Sequence, residues 1–145
     1  INKKRKNYLR THGITDMHAI RTTLKHHGTV LITPDQDRGN NRTVFVPFMG
    51  QQAATLTSIS FLANLYGSLV VPAHCVRKSK PGKQSKRYEV IFHPAIQNFP
   101  TPHQADDAIT VNQVFEKMIA LQSKDYFWMH RRFKTTQNGQ ANIYK

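Results

Sequence analysis

Apolar residues recur along this chain in short blocks whose spacing alternates between helical and extended periods. Met17, Ile20 and Leu24 stand at i, i+3 and i+7, with Thr15 or Asp16 as a cap and Gly28 as a stop, and predict a first helix. The short apolar block 29–33 ends at Pro34 and reads as a buried strand. After the polar loop 35–42, the block 44–48 is a second apolar run, closed by Gly50. Over 53–66 the period is helical, with Ile59, Leu62, Ala63 and Tyr66 on one face and Gly67 as the stop. A further strand begins at 69–71 and continues toward Val76. Pro81 and Gly82 mark 78–86 as a loop or hairpin tip, and Arg87–Phe92 alternates as its second strand. Pro94, Pro100 and Pro102 make the next connection irregular. Asp106 and Asp107 then open an amphipathic helix lined by Val111, Val114, Phe115, Met118 and Ile119, with the acids at its favourable end. The segment 126–130 predicts a last short helix before a polar tail that turns at Asn138-Gly139.

Strands alternating with helices predict an α/β fold, a mixed and largely parallel sheet flanked by helices. The 145 residues suffice for one domain with a modest core. No stretch approaches the roughly 20 apolar residues of a spanning helix. The basic run from Ile1 to Lys6 is not followed by the apolar region of a signal peptide. The first residue is Ile rather than Met, which favours a processed chain or a piece of a longer one, so any membrane anchor is expected to be interfacial or to lie upstream. A sheet lacking upstream strands would expose an edge and apolar surface, so poor solubility is expected of the piece alone.

Charge adds a strong constraint. Twenty-one Lys and Arg against eight Asp and Glu give a net +13. Lys3, Lys4, Arg5, Lys6 and Arg10 form one cluster, Arg77, Lys78, Lys80, Lys83, Lys86 and Arg87 a second, and Arg131, Arg132 and Lys134 a third. Together they hold fourteen of the twenty-one cations, so the field is local. Such a chain is drawn to anionic lipid, acidic protein or nucleic acid, and charge alone does not choose among them. Each cluster can equally be a solvated loop. The single cysteine, Cys75, closes no internal disulfide and fits a reducing compartment, and within a strand it reads as a small buried residue rather than a nucleophile.

Eight histidines are scattered without zinc spacing, and adjacent His26 and His27 point to different sides of a helix, so no metal is expected. No Walker loop, dinucleotide glycine pattern or nucleophile elbow is present, and no cofactor is expected. The loop Thr33-Pro34-Asp35-Gln36-Asp37-Arg38-Gly39 follows a predicted buried strand, a usual place for a site in an α/β sheet. Its acids can bind substrate hydroxyls or polarise a partner group, and a solvated turn fits the spacing equally.

Two longer runs carry a resemblance. Ile32-Thr33-Pro34-Asp35-Gln36-Asp37 leads into Val44-Phe45-Val46-Pro47-Phe48-Met49-Gly50 and Ala53-Ala54-Thr55, and Trp128-Met129-His130-Arg131-Arg132-Phe133-Lys134-Thr135 stands near the C-terminus. In this order and spacing, over nearly the whole chain, they resemble the bacterial lipid A biosynthesis acyltransferases of the lysophospholipid-acyltransferase-like superfamily. The resemblance implies transfer of a fatty acyl chain from acyl carrier protein or acyl-CoA to a hydroxyl of an anionic glycolipid, a lipid A precursor, at the cytoplasmic face of the bacterial inner membrane. It implies a membrane anchor helix and a catalytic His followed after four residues by Asp or Glu, with the His as general base. No His in this chain has an acid five positions later, and His12–Asp16 is one residue too close. The chain is therefore expected to be the C-terminal part, residues 1–145, of a single acyltransferase domain, with the anchor and the pair upstream and no catalytic residue of its own.

The resemblance also supplies candidate binding residues. Arg10 precedes the first helix where the family has an arginine, and is the candidate for gripping a substrate phosphate. Asp35, Gln36 and Asp37 match an acidic substrate-side loop. Val70-Val71-Pro72 resembles the strand that closes the site, in a structural role. His130, Arg131 and Arg132 either contact acceptor phosphates or carboxylates or tie the tail to the core. Phe45, Phe48 and Trp128 can border an acyl groove, as can Met49, although core packing is the commoner use of such aromatics. Met49 stands where the family favours an aromatic, and Thr136 where it often has Arg. A nucleic-acid-binding module is the competing class, but the cations lie on separate loops without a reader motif, so no specific nucleic acid is expected. A non-catalytic remnant of a truncated acyltransferase is the third reading.

Overall fold

The computed structural model describes residues 16–39, 42–78, 87–137 and 143–144. Arg10 and most of the 78–86 loop lie outside the described residues. The chain divides into two compact units, residues 1–32 and 33–145.

In the first unit, helix α1 spans Met17–Lys25. Asp16 caps it by accepting from the Ala19 N–H at 3.1 Å. Its end is a Schellman motif: the His27 N–H donates to Leu24 O and the Gly28 N–H to Thr23 O at 2.8 Å. His27, not Gly28, takes the left-handed conformation, at φ 56°. Gly28 is needed for a different reason, since a Cβ there would stand 2.7 Å from Thr23 Cγ2. The strand predicted at 29–33 does not form among the described residues, where nothing pairs with it and Leu31 is exposed. An apolar run is a strand only when a neighbour takes up its backbone groups.

The second unit begins, after the loop at 34–39, with strands β1, Thr43–Phe48, and β2, Gln51–Leu56, paired antiparallel from Thr43↔Leu56 to Phe48↔Gln51. Met49 and Gly50 turn the hairpin at φ 49° and 75°, the two positive values of a type I′ turn. This turn corrects the helix predicted from residue 53. Helix α2 starts only at Ser58, spanning Ser58–Tyr66, and ends on left-handed Gly67 as the sequence predicts. Ala53, Ala54 and Thr55 are all fully buried, so both faces of β2 are covered, and the small side chains permit that approach. Pairing with β1 overrides the helical preference of alanine.

Strands β3, Ala73–Lys78, and β4, Arg87–Phe92, form a second antiparallel hairpin, with Ala73 opposite Phe92. The pairing continues below it, where the His93 N–H donates to Pro72 O and the Ile96 N–H to Val70 O. Tyr88, Val90 and Phe92 face solvent together, and Cys75 lies across from Val90. Cys75 is therefore exposed, contrary to the buried position expected of it. Helix α3, Gln104–Leu121, packs chiefly on β1. One 3-10 turn, Ser123–Asp125, follows it, and the helix predicted at 126–130 is replaced by successive tight turns.

The fold is thus mixed α and β, as expected, but the expected largely parallel sheet is corrected. Among the described residues there are two separate two-stranded sheets, both antiparallel. The short stretches of sequence between partners dictate this, because parallel neighbours need a crossover of a dozen or more residues. Among the described residues, no helix is long and apolar enough to cross a membrane. The core forms where α3 meets the first hairpin: Phe48, Ala53 and Ile119, flanked by Phe115, Tyr126 and Phe133. Phe48 is 2% exposed, so Phe48→Ala is expected to cost about 3–5 kcal/mol, read as an earlier midpoint in urea denaturation.

Candidate functional site

Two segments separated by 98 positions meet in the second unit, the loop after residue 33 and the motif 128–135. Asp37 lies between them, 2% exposed. Its Oδ1 accepts from the Gly39 N–H at 2.9 Å and from the Thr135 hydroxyl at 2.7 Å. Its Oδ2 accepts from the Thr135 N–H at 2.8 Å. The Asp37 N–H in turn donates to His130 Nε2 at 3.0 Å, which requires that ring nitrogen to be unprotonated. Burial alone would raise the Asp37 pKa. The Gly39 and Thr135 donors, with the positive charge of Lys134, outweigh it and hold the carboxyl below its ordinary 3.8.

Arg132 is the second buried charge, 3% exposed. Its Nη1 donates to Ala54 O at 2.7 Å and its Nη2 to Thr55 Oγ1 at 2.8 Å. Thr55 Oγ1 also accepts from Asn112 Nδ2 at 3.0 Å and donates to Ala53 O at 3.1 Å, so its hydrogen-bonding capacity is filled. The other Asn112 bond, to Pro47 O at 2.8 Å, pins α3 to β1. The guanidinium sits 5.1 Å from the centre of the Phe48 ring. Burial lowers its pKa, opposed by the negative charges of Asp37 and Asp35. Only its Nε lacks a partner among the described residues. Tyr126, beside it, is shifted upward by burial and by Asp35.

The remaining candidates sit around this pair. Asp35 is half-buried, and Gln36 Oε1 accepts from Arg38 Nη2 at 2.6 Å. Arg131 is exposed, with its guanidinium 5.8 Å from the Tyr144 ring. Phe45 is half-buried on β1 and Phe48 lies in the core. Met49 is exposed at the hairpin turn, where its N–H donates to Glu116 Oε1 at 2.6 Å. The fold therefore brings Asp35, Gln36 and Asp37 together with His130 and Arg132, and sets Phe45, Phe48 and Met49 on the adjoining hairpin.

Chemically this is a rigid frame with guanidinium groups at its rim. Arg38 and Arg131 are exposed donors of the kind that grip phosphate or carboxylate in a fork. Among the described residues, no three His, Cys, Asp or Glu side chains converge as metal ligands. His74 and His93 pair, with Nδ1 and Nε2 2.9 Å apart and rings stacked at 4.9 Å. Burial and the neighbouring ring lower the His74 pKa.

Sequence reasoning gave no role to Thr135, Thr55 or Asn112. One signal was available for Asn112. It falls on the buried stripe of α3 with Ala108, Val111 and Ile119, and a polar residue in an apolar stripe needs an internal partner. Nothing local marks Thr55 or Thr135, whose partners come from distant segments.

The model of the family described as bacterial lipid A biosynthesis acyltransferase matches residues 1–135, a span that ends on the threonine closing over Asp37. The chain belongs to this family. The lipid A biosynthesis lauroyltransferase of Escherichia coli K12 is 36% identical over 130 residues, 89% of this chain and 41% of that protein. The palmitoleoyltransferase of the same organism is 30% identical over 133 residues, 91% of this chain and 42% of its own length. A lipid A biosynthesis acyltransferase of Haemophilus influenzae is 30% identical over 122 residues, 83% of this chain and 38% of its own. The chain thus spans about two fifths of the length of the relatives it matches.

The frame at 34–39 and 128–135 depends on the Asp37 clamp. Asp37→Ala leaves three part-buried donors without an acceptor and is expected to destabilise the fold by about 3 kcal/mol. A carboxyl held below its ordinary pKa contributes stability above the unfolded value, and that contribution is lost as pH falls through the folded value. The stability gap between parent and Asp37→Asn is therefore expected to be full at neutral pH and to narrow below about pH 4 in urea titrations.

Proposed function

We propose that the complete protein transfers a fatty acyl chain from acyl carrier protein or acyl-CoA to a hydroxyl of a lipid A precursor or related glycolipid, at the cytoplasmic face of the bacterial inner membrane. The observation that carries this is the family match running unbroken from residue 1 to 135. The names of two relatives, lauroyltransferase and palmitoleoyltransferase, support a long-chain acyl donor.

In this reading the chain is the substrate-side portion of the enzyme. The general base belongs to a His-x-x-x-x-Asp or Glu pair outside the chain. That base takes the proton of the acceptor hydroxyl as the oxygen attacks the thioester carbonyl, and the thiol of the donor leaves. The acceptor is anionic, and Arg131, with Arg38 of the loop, supplies guanidinium groups to its phosphates, while Arg10 keeps the phosphate-binding role that the family resemblance alone gives it. Asp35 is placed to meet an acceptor hydroxyl. Asp37 and Arg132 are spent inside the protein, and their part is to hold the rim in place. Phe45 and Met49 border the acyl chain, Met49 being the exposed member, whereas Phe48, expected beside them, is taken up by the core. The basic strand ends Arg77, Lys78 and Arg87 attract the acidic carrier and the anionic membrane by long-range steering.

The test begins with the reading frame upstream of residue 1. It should encode an apolar anchor and the His-x-x-x-x-acid pair, and the complete product should move acyl groups from acyl carrier protein to a lipid A precursor. A frame without the pair, or a complete product without transfer, refutes the enzymatic reading. In the complete enzyme Arg131→Gln is expected to raise KM for the glycolipid about tenfold with kcat retained. An unchanged KM removes Arg131 from the binding site.

A further inference from the structure

Phe127, Trp128 and Met129 are consecutive large apolar side chains, 65%, 58% and 83% exposed. They do not belong to a mobile tail. Tight turns fix their backbone, with the Trp128 N–H donating to Tyr126 O at 2.9 Å and the His130 N–H to Phe127 O at 3.1 Å. Packing of Tyr126 against the core on one side and burial of Arg132 on the other anchor both ends. Trp128 stands edge-on to the Tyr126 ring at 4.9 Å and donates its Nε1–H to Ser123 O at 2.7 Å. The structure therefore holds an apolar ridge out into solvent.

The surroundings of the ridge say what covers it. Lys124 and Arg131 are exposed at its two ends. The nearest acid along the chain, Asp125, is offset by the Arg77 guanidinium, whose Nε lies 4.0 Å from its Oδ1, which leaves Lys124 and Arg131 as the charges of the rim. An apolar ridge with a cationic rim is complementary to an anionic bilayer, whose acyl chains lie beneath negative headgroups. Tryptophan favours that boundary. Taking an indole out of water normally strands its N–H, but here Ser123 O already satisfies it, so insertion leaves no unpaired donor.

We propose that Phe127, Trp128 and Met129 form an interfacial wedge that enters the acyl-headgroup boundary of an anionic bilayer, with Lys124 and Arg131 on its lipid phosphates. This rests on the membrane glycolipid reading above and adds the surface that makes the contact. It sets the Asp37–Arg132 frame directly against the layer in which a lipid acceptor resides.

Trp128 is the only tryptophan of the chain, so its emission reports on the wedge alone. The probes are vesicles of phosphatidylethanolamine mixed equally with phosphatidylglycerol, and vesicles of phosphatidylcholine. With the anionic vesicles, Trp128 emission should shift to the blue and be quenched by lipids brominated near the top of the acyl chain. The double variant Phe127→Ser with Met129→Ser removes only exposed groups, and should bind these vesicles about tenfold more weakly with unchanged circular dichroism. Binding without any change in Trp128 emission would overturn the wedge while leaving the membrane reading intact. Failure to bind either vesicle at low salt would overturn both. A blue shift that grows with protein concentration in the absence of lipid would assign the ridge to a second copy of the chain, and also overturns the proposal.

Discussion

A guanidinium withdrawn from water must replace its hydration with fixed acceptors, and the arrangement around Arg132 follows from that demand. Its acceptors are a carbonyl and a hydroxyl of β2, and the same hydroxyl receives Asn112 from α3. One side chain from the C-terminal motif thus fixes strand, helix and tail relative to one another. Asp37 repeats the logic with the opposite sign, tying the loop at 34–39 to Thr135. The two charges are near enough for Asp37 to support the protonated state of Arg132. Neither residue can leave without stranding several hydrogen-bond partners, which makes the whole assembly cooperative rather than a set of separate contacts.

This division of labour separates two kinds of charge. Buried Asp37 and Arg132 hold the frame, and exposed Arg38 and Arg131 at its rim remain in contact with solvent. The exposed cations on the second hairpin have little structural value. The Lys78–Glu89 pair at 2.9 Å has both side chains more than half exposed, where screening leaves such pairs weak. Their excess over the acids gives the chain its field, and the proposed carrier and membrane contacts draw on that field.

The turn chemistry was the most legible part of the fold. Gly50 and Gly67 end elements where the sequence says, Asp16 caps α1, and the acids of α3 lie in its first turn. What was illegible concerned neighbours. The segment at 53–56 has helix-compatible residues but lies in a hairpin, and 29–33 has strand composition without a partner among the described residues. Cys75 sits on a strand whose outer face is uncovered, and composition cannot show which face a second layer covers. The candidate site was legible as two motifs, but not as one place, nor as two internal ties among several rim residues.

The sequence by itself determined the local events: caps, stops, the amphipathic face of α3 and the clustering of positive charge. These depend on residues within a few positions of one another, where steric and hydrogen-bonding preferences act directly. Its long motifs also carried the family. Only the tertiary structure decided that Asp37 and Arg132 are buried while Arg131 is not, although Arg131 and Arg132 are adjacent and chemically identical. Burial depends on which side of the chain meets β2 and Thr55, contacts made across 77 and more positions, and no local preference encodes them.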